Sequence, residues 1–225
     1  MTDRKFKISP SMMCADFLSM KSELELFKAF NIDYLHIDVM DGHYVPNLTF
    51  GFDFAKSLHE FSGIPLDFHL MVEKPGNFLD IFSQIKNSII TIHPETSWHP
   101  DRILRQIKQA GCIPGIALDP YVPIDQCKHL YPIVDVVMIM TVNPGYASQE
   151  LVPQSIDKIR ELKTYSEKHN LNFDIQVDGN VSWENIPRMV DAGANILVAG
   201  TSSLFKSDLS RKDALIRLYQ MIEKF

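Results

Sequence analysis

The chain has 225 residues, 45% hydrophobic and 22% charged, a balance that excludes a disordered polymer and gives ample material for a core. With 28 acidic against 22 basic residues, a net charge of -6 and no lysine or arginine run, no nucleic-acid or anionic-membrane partner is expected, since both need a concentrated positive field. Cys14, Cys112 and Cys127 are odd in number and lack CxxC or zinc-finger spacing. They read as reduced thiols of a cytoplasmic protein. No secretory signal is expected, because no long apolar stretch follows the charged start, and the longest apolar run, 136–140, is far shorter than the roughly 20 residues of a membrane span.

Strand-like segments recur along the chain at 6–9, 34–40, 66–72, 88–93, 114–118, 134–141, 173–178 and 196–200. Between them apolar residues recur at helical spacing, as in Phe17, Leu18, Leu24 and Phe27 after the first segment and Ile156, Ile159, Leu162 and Tyr165 after the sixth. Eight strand–helix units in under 250 residues predict an α/β fold, a (β/α)8 TIM barrel, as a single domain over 1–225. An open doubly wound sheet is the alternative, disfavoured because no GxGxxG follows the first strand.

Alternation within the strands assigns their faces. In the second, Leu35, Ile37 and Val39 form a hydrocarbon face, while His36, Asp38 and Met40 point the other way. The third repeats this, with Asp67, His69 and Met71 opposite Leu66, Phe68 and Leu70, and the seventh sets Asp174, Gln176 and Asp178 opposite Phe173, Ile175 and Val177. In a barrel the hydrocarbon faces meet the helices, so the polar groups point inward, where a structural barrel would carry branched aliphatics.

His36, Asp38, His69 and Asp178 thereby converge near the C-terminal mouth. Two imidazoles with two carboxylates suit one divalent ion, with Zn, Fe(II), Mn and Co all compatible. Asp38 and Asp178 come from opposite sides of the ring, which suits a two-base proton transfer across an enediolate: epimerisation beside a carbonyl. Met40, Met71 and Met140, with Met138 nearby, could form a flexible water-excluding cap. Gly145, Gly179 and Gly200 follow the sixth, seventh and eighth strands. There, backbone N–H groups and a short helix N-terminus would bind a phosphate. A metal-dependent hydrolase or aldolase and a non-catalytic sugar-phosphate sensor are the competing classes. No lysine at the inner strand ends argues against a Schiff-base aldolase.

The segments SPSMMCADF (9–17), HIDVMDGHYVPNLTFG (36–51), FHLMV (68–72), MTVNPGY (140–146), VDGN (177–180) and VAGTSSLF (198–205) resemble the ribulose-phosphate 3-epimerase family in order and spacing over nearly the whole chain. The resemblance implies a metal-dependent TIM-barrel isomerase that epimerises C3 of phosphoketoses. It assigns His36, Asp38, His69 and Asp178 as metal ligands, Asp38 as proton acceptor and Asp178 as proton donor. It assigns Ser9, Met40, His69 and Met71 as substrate contacts, with Met140 beside them. Phosphate would be held by Gly145, Tyr146, Ala147 and Ser148, by Gly179 and Asn180, and by Gly200 and Thr201. It also suggests a homo-oligomer, dimer or hexamer. NPGYASQ stands where pentulose enzymes typically show NPGFGGQ, and VDGN and AGT replace VDGG and AGS. With MMCADF, IHPET (92–96) and GTSSLF, these departures resemble the D-allulose 6-phosphate branch, whose product is D-fructose 6-phosphate. The alternative is D-ribulose 5-phosphate to D-xylulose 5-phosphate.

Overall fold

The computed structural model describes residues 4–225. Eight parallel strands run in chain order as β1 Lys7–Pro10, β2 Leu35–Met40, β3 Leu66–Met71, β4 Ile89–Ile92, β5 Ile113–Leu118, β6 Val136–Met140, β7 Asp174–Asp178 and β8 Ile196–Ala199. Their lateral order, β1-β8-β7-β6-β5-β4-β3-β2, is that of a TIM barrel. Closure between β1 and β2 comes from the Tyr34 N–H donating to the Ile8 carbonyl at 3.3 Å and a parallel bridge between Ser11 and His36.

Among the described residues seven helices surround the ring: α1 Met20–Ala29, α2 Phe52–Ser62, α3 Leu79–Phe82, α4 Pro100–Gln109, α5 Gln154–Lys168, α6 Asn185–Asp191 and α7 Arg211–Ile222. The expected eighth is missing after β5. That connection instead carries two 3-10 turns, Ile124–Cys127 and Tyr131–Ile133. Pro120, Pro123 and Pro132 each lack a backbone donor and fix φ, so no uninterrupted α-helix fits there. α7 starts on Ser210, whose hydroxyl accepts from the Asp213 N–H. Among the described residues no helix is long and apolar enough to cross a membrane.

The core is the sleeve between ring and helices. Leu35, Ile37, Leu66, Phe68, Leu70, Ile116, Val137, Ile139, Val177 and Leu197 pack there with Leu104, Ile107, Ile159, Leu162, Leu215 and Leu218 of the helices. Each such burial contributes roughly 1.5–3 kcal/mol. Inside the barrel a separate apolar layer of Tyr34, Ile89, Val136 and Ile196 fills the N-terminal end. Above it register stacks the polar residues in pairs: His36 beside Asp67, Asp38 beside His69, Met40 beside Met71, and Met140 beside Asp178.

Candidate metal and substrate site

Because side chains alternate along a strand, the residues that send Ile37 and Phe68 into the sleeve send His36, Asp38 and His69 into the barrel. One donor atom each from His36, Asp38, His69 and Asp178 lie within 4.8 Å of one another. His36 Nε2 is 3.3 Å from Asp38 Oδ1 and 3.8 Å from Asp178 Oδ2; His69 Nδ1 is 3.4 Å and 3.5 Å from the same two oxygens. Bonds of about 2.0–2.1 Å in a tetrahedral site put neighbouring ligands roughly 3.3 Å apart. Both ring nitrogens are buried without a hydrogen-bond partner, a costly state that a cation would relieve. The four residues therefore fit a divalent ion.

Electrostatics point the same way. Burial alone would depress the His36 pKa, but Asp67 and Asp38 outweigh it and hold the imidazole well above its ordinary value. For His69, burial is likewise outweighed by Asp178 and Asp38. Burial would raise Asp38, yet His36 and then His69 hold its carboxyl well below the usual range. Asp38 is thus an anion matched to positive charge, supplied by protons on the two imidazoles when no metal is present.

Beneath it, Asp67 Oδ2 accepts from His36 Nδ1 at 2.7 Å, from Ser9 Oγ at 2.8 Å and from Gln176 Nε2. This carboxylate fixes the His36 ring with Nε2 toward the cluster, as outer partners of ligating histidines do. Sequence reasoning placed Asp67 inward without assigning it a role. The same network corrects the expectation for Ser9: fully buried and committed to Asp67, it does not line the cavity. Ser11, two residues along, does, and its hydroxyl donates to Asp38 Oδ2 at 2.9 Å.

The cavity above the cluster is lined by Asp38, Met40, Met71, Met140 and Asp178, and by the loops after β6, β7 and β8. Gly145, Tyr146, Ala147, Ser148, Gly179, Asn180, Gly200 and Thr201 all face it. Met40 and Met71 pack with Val45, Met13 and Tyr44; Met140 packs with Met138 and Ala117. Met13 and Cys14 also line it, and burial pushes the Cys14 thiol up to about 11, so it offers no thiolate at neutral pH. No lysine or arginine is among the lining residues, so an anion there would be met by backbone N–H groups and hydroxyls. The segment after β8 is a run of turns at 201–205 rather than the expected helix.

Cross-links hold the loops in place. Tyr146 donates to the Pro46 carbonyl at 2.8 Å, Asn47 to the Gly145 carbonyl at 2.9 Å, and Asn180 to the Gln149 carbonyl at 2.6 Å. Gly179 has φ +97°, and a Cβ there would lie 2.5 Å from Val142 Cγ2. Only glycine fits that approach.

Residues 7–205 match the sequence model of the Ribulose-phosphate 3 epimerase family. The ribulose-phosphate 3-epimerase of Helicobacter pylori (strain ATCC 700392 / 26695) is 40% identical over 201 residues, 89% of this chain and 91% of that protein. Its counterpart in Bacillus subtilis (strain 168) is 36% identical over 212 residues, covering 94% and 98%; that of Escherichia coli (strain K12) is 38% identical over 210, covering 92% and 93%. Among solved structures, a mutant tryptophan synthase alpha-subunit from Pyrococcus furiosus superposes with TM-score 0.66 at 15% identity, over 98% of this chain and 100% of that one. A thiamine phosphate pyrophosphorylase from Pyrococcus furiosus gives 0.62 at 10%, over 98% and 96%. These two show a shared fold alone.

Proposed function

The chain belongs to the ribulose-phosphate 3-epimerase family, isomerases of carbohydrate phosphates, and we propose that it inverts C3 of a ketose phosphate with two bases, an ionised Asp38 taking the C3 proton and a protonated Asp178 giving its own proton to the opposite face. The observation that carries this reading is the arrival of the two carboxylates from β2 and β7, across the gap spanned by β1 and β8, to flank one point beside His69 Nδ1. Asp38, kept ionised by its histidines, takes the C3 proton from one face. Asp178 returns a proton to the other, and the roles exchange in the reverse direction. A divalent ion held by His36, Asp38, His69 and Asp178 would supply Lewis-acid stabilisation of the substrate oxygens. Met40, Met71 and Met140 exclude water from the carbon being inverted.

The substrate is proposed to be D-ribulose 5-phosphate, with D-xylulose 5-phosphate as product, on the strength of the relatives' shared name at 36–40% identity. The D-allulose 6-phosphate expectation finds no support among those relatives and rests on the loop departures together with the MMCADF, IHPET and GTSSLF segments. Phosphate is assigned to Gly145–Ser148, Gly179–Asn180 and Gly200–Thr201, which share one wall of the cavity. Two further parts of this reading are a homo-oligomer, with which the exposed Phe17, Leu18 and Leu48 agree, and a cytoplasmic location, with which three free cysteines agree. Light scattering on the purified protein reads the first.

The deciding experiment compares kcat/KM of metal-replete protein on the two ketose phosphates and repeats it with Asp178→Asn. The pentulose is expected to be preferred. Asp178→Asn is expected to lose epimerisation, by roughly 10²- to 10⁴-fold, while still exchanging the C3 proton with solvent through Asp38. Full epimerisation in that variant would overturn the two-base scheme, and a hexulose preference would overturn the substrate.

A further inference from the structure

Behind His69, on the side away from the cavity, lies a second group of titratable side chains that the reaction does not touch. His93 is fully buried; its Nε2 is 2.8 Å from His69 Nε2 and its Nδ1 is 2.9 Å from the Tyr44 hydroxyl. Tyr44 Oη lies 2.9 Å from Glu95 Oε1 and 3.2 Å from Asp119 Oδ2. His93, Glu95 and Asp119 could by themselves be a metal triad. The Tyr44 hydroxyl, however, stands within hydrogen-bond distance of all three, where an ion would have to sit.

One order of hydrogen bonds gives each of these groups a partner. The single phenolic hydrogen of Tyr44 is directed to Glu95 or Asp119, whose oxygens accept it. Burial, then Asp119 and Glu95, push the Tyr44 pKa far up, so that hydrogen stays on the phenol. Tyr44 Oη, at 2.9 Å, is then the nearer acceptor for His93 Nδ1–H, with Asp119 Oδ1 3.1 Å away as a second. With its hydrogen on Nδ1, His93 presents Nε2 as an acceptor 2.8 Å from His69 Nε2 and takes the hydrogen bond from His69 Nε2–H. We propose that Tyr44 and His93 are positioning residues for the metal site, fixing the tautomer that leaves His69 Nδ1 bare and aimed between Asp38 and Asp178. Its neighbour His36 is set the opposite way round, with Nδ1 held by Asp67 and Nε2 facing the cluster. The two ligating rings thus present different nitrogens because different partners hold them from behind, a carboxylate in one case and a histidine–tyrosine relay in the other.

The inference rests on the reading of His69 as a ligand, and the test separates the two. Zinc affinity is measured by chelator competition for wild type, Tyr44→Phe, His93→Leu and His93→Gln, each verified as folded by circular dichroism without metal. The His69 ring of zinc-loaded protein is read in a long-range ¹H–¹⁵N spectrum. Expected are a hydrogen on His69 Nε2, affinity losses of roughly 10- to 100-fold for His93→Leu, a smaller loss for Tyr44→Phe, and partial rescue in His93→Gln, whose amide oxygen can accept from His69. Tyr44→Phe removes one oxygen and keeps the ring, so it tests the relay even if His93→Leu does not fold. Folded Tyr44→Phe binding zinc as tightly as wild type, or a His69 hydrogen on Nδ1, overturns the positioning role. A wild type that takes up no zinc overturns the metal site and this inference with it.

Discussion

The hydroxyls of Ser148 and Thr201 lie 3.3 Å apart, joining the loops after β6 and β8 at the wall assigned to phosphate. These two residues, which the allulose-branch expectation singled out, meet each other. Ser148 has φ +63°, a left-handed conformation that costs a non-glycine residue about 1–2 kcal/mol. Ser148→Gly relieves that strain but adds unfolded-state freedom of about 0.5–1 kcal/mol, so melting temperature should move little. KM for the ketose phosphate should change, and in a double-mutant cycle Thr201→Ala should add little once Ser148 is glycine. Strictly additive effects on KM would show that the contact plays no part in binding.

Asp67 gathers three donors on one oxygen at the floor of the site. Asp67→Asn can still turn an oxygen to the three donors, but it puts an NH₂ group in the buried, partnerless place of Asp67 Oδ1 and removes the carboxylate from the network. Stability should fall by about 3–5 kcal/mol, as when one member of a buried charged network is removed. Metal affinity should fall roughly 10- to 100-fold, because His36 loses the partner that orients it. Denaturant melts and chelator competition check the two effects separately. Unaltered affinity in the folded variant would mean that barrel packing alone holds the ring.

Gly179→Ala should damage the loop after β7 far more than an ordinary turn substitution. Besides its positive φ, the added Cβ would stand 2.5 Å from Val142 Cγ2 and 3.0 Å from the Val142 backbone nitrogen. A loss of about 1–3 kcal/mol with a raised KM is expected. Gly63, at the end of α2 with φ +70° and open space around its Cβ position, is the control, and Gly63→Ala should cost only about 1 kcal/mol. Equal losses at the two sites would show that φ, not the Val142 contact, governs Gly179.

What the sequence disclosed follows from which interactions are local. Two-residue alternation was enough to turn His36, Asp38, His69 and Asp178 inward, because alternation is a property of each strand alone. Ser9 was misplaced because height along the barrel depends on pairing. Two residues along a strand are nearly 7 Å of rise, and Ser11, not Ser9, bridges to His36. Asp67 had a legible direction but no legible role, since its partners Ser9 and Gln176 stand 58 and 109 residues away. Tyr44, His93 and Asp119 come from three connections after different strands, where no periodicity operates. The missing helix after β5 was announced by its prolines, outweighed in the reading by the regularity of the other seven units.

Proton and metal compete for the same nitrogens, which gives the pH dependence a definite sign. Without metal, His36 and His69 have folded pKa values above the ordinary one, so the stability they contribute is full below about pH 6.5 and is lost as pH rises through the folded values. Asp38, held low, contributes above its ordinary range and loses that contribution only as pH falls through its depressed value. Chelated protein should therefore lose stability from these groups as pH is raised past neutrality. A bound divalent ion needs both imidazoles unprotonated, so its stabilisation must grow as pH rises. The melting-temperature difference between loaded and chelated protein should then widen from pH 6 to pH 8, and adding zinc in weak buffer near pH 7 should release protons, up to two per ion. Binding without proton release, together with a difference that does not change with pH, would show that the ion sits elsewhere than on His36 and His69.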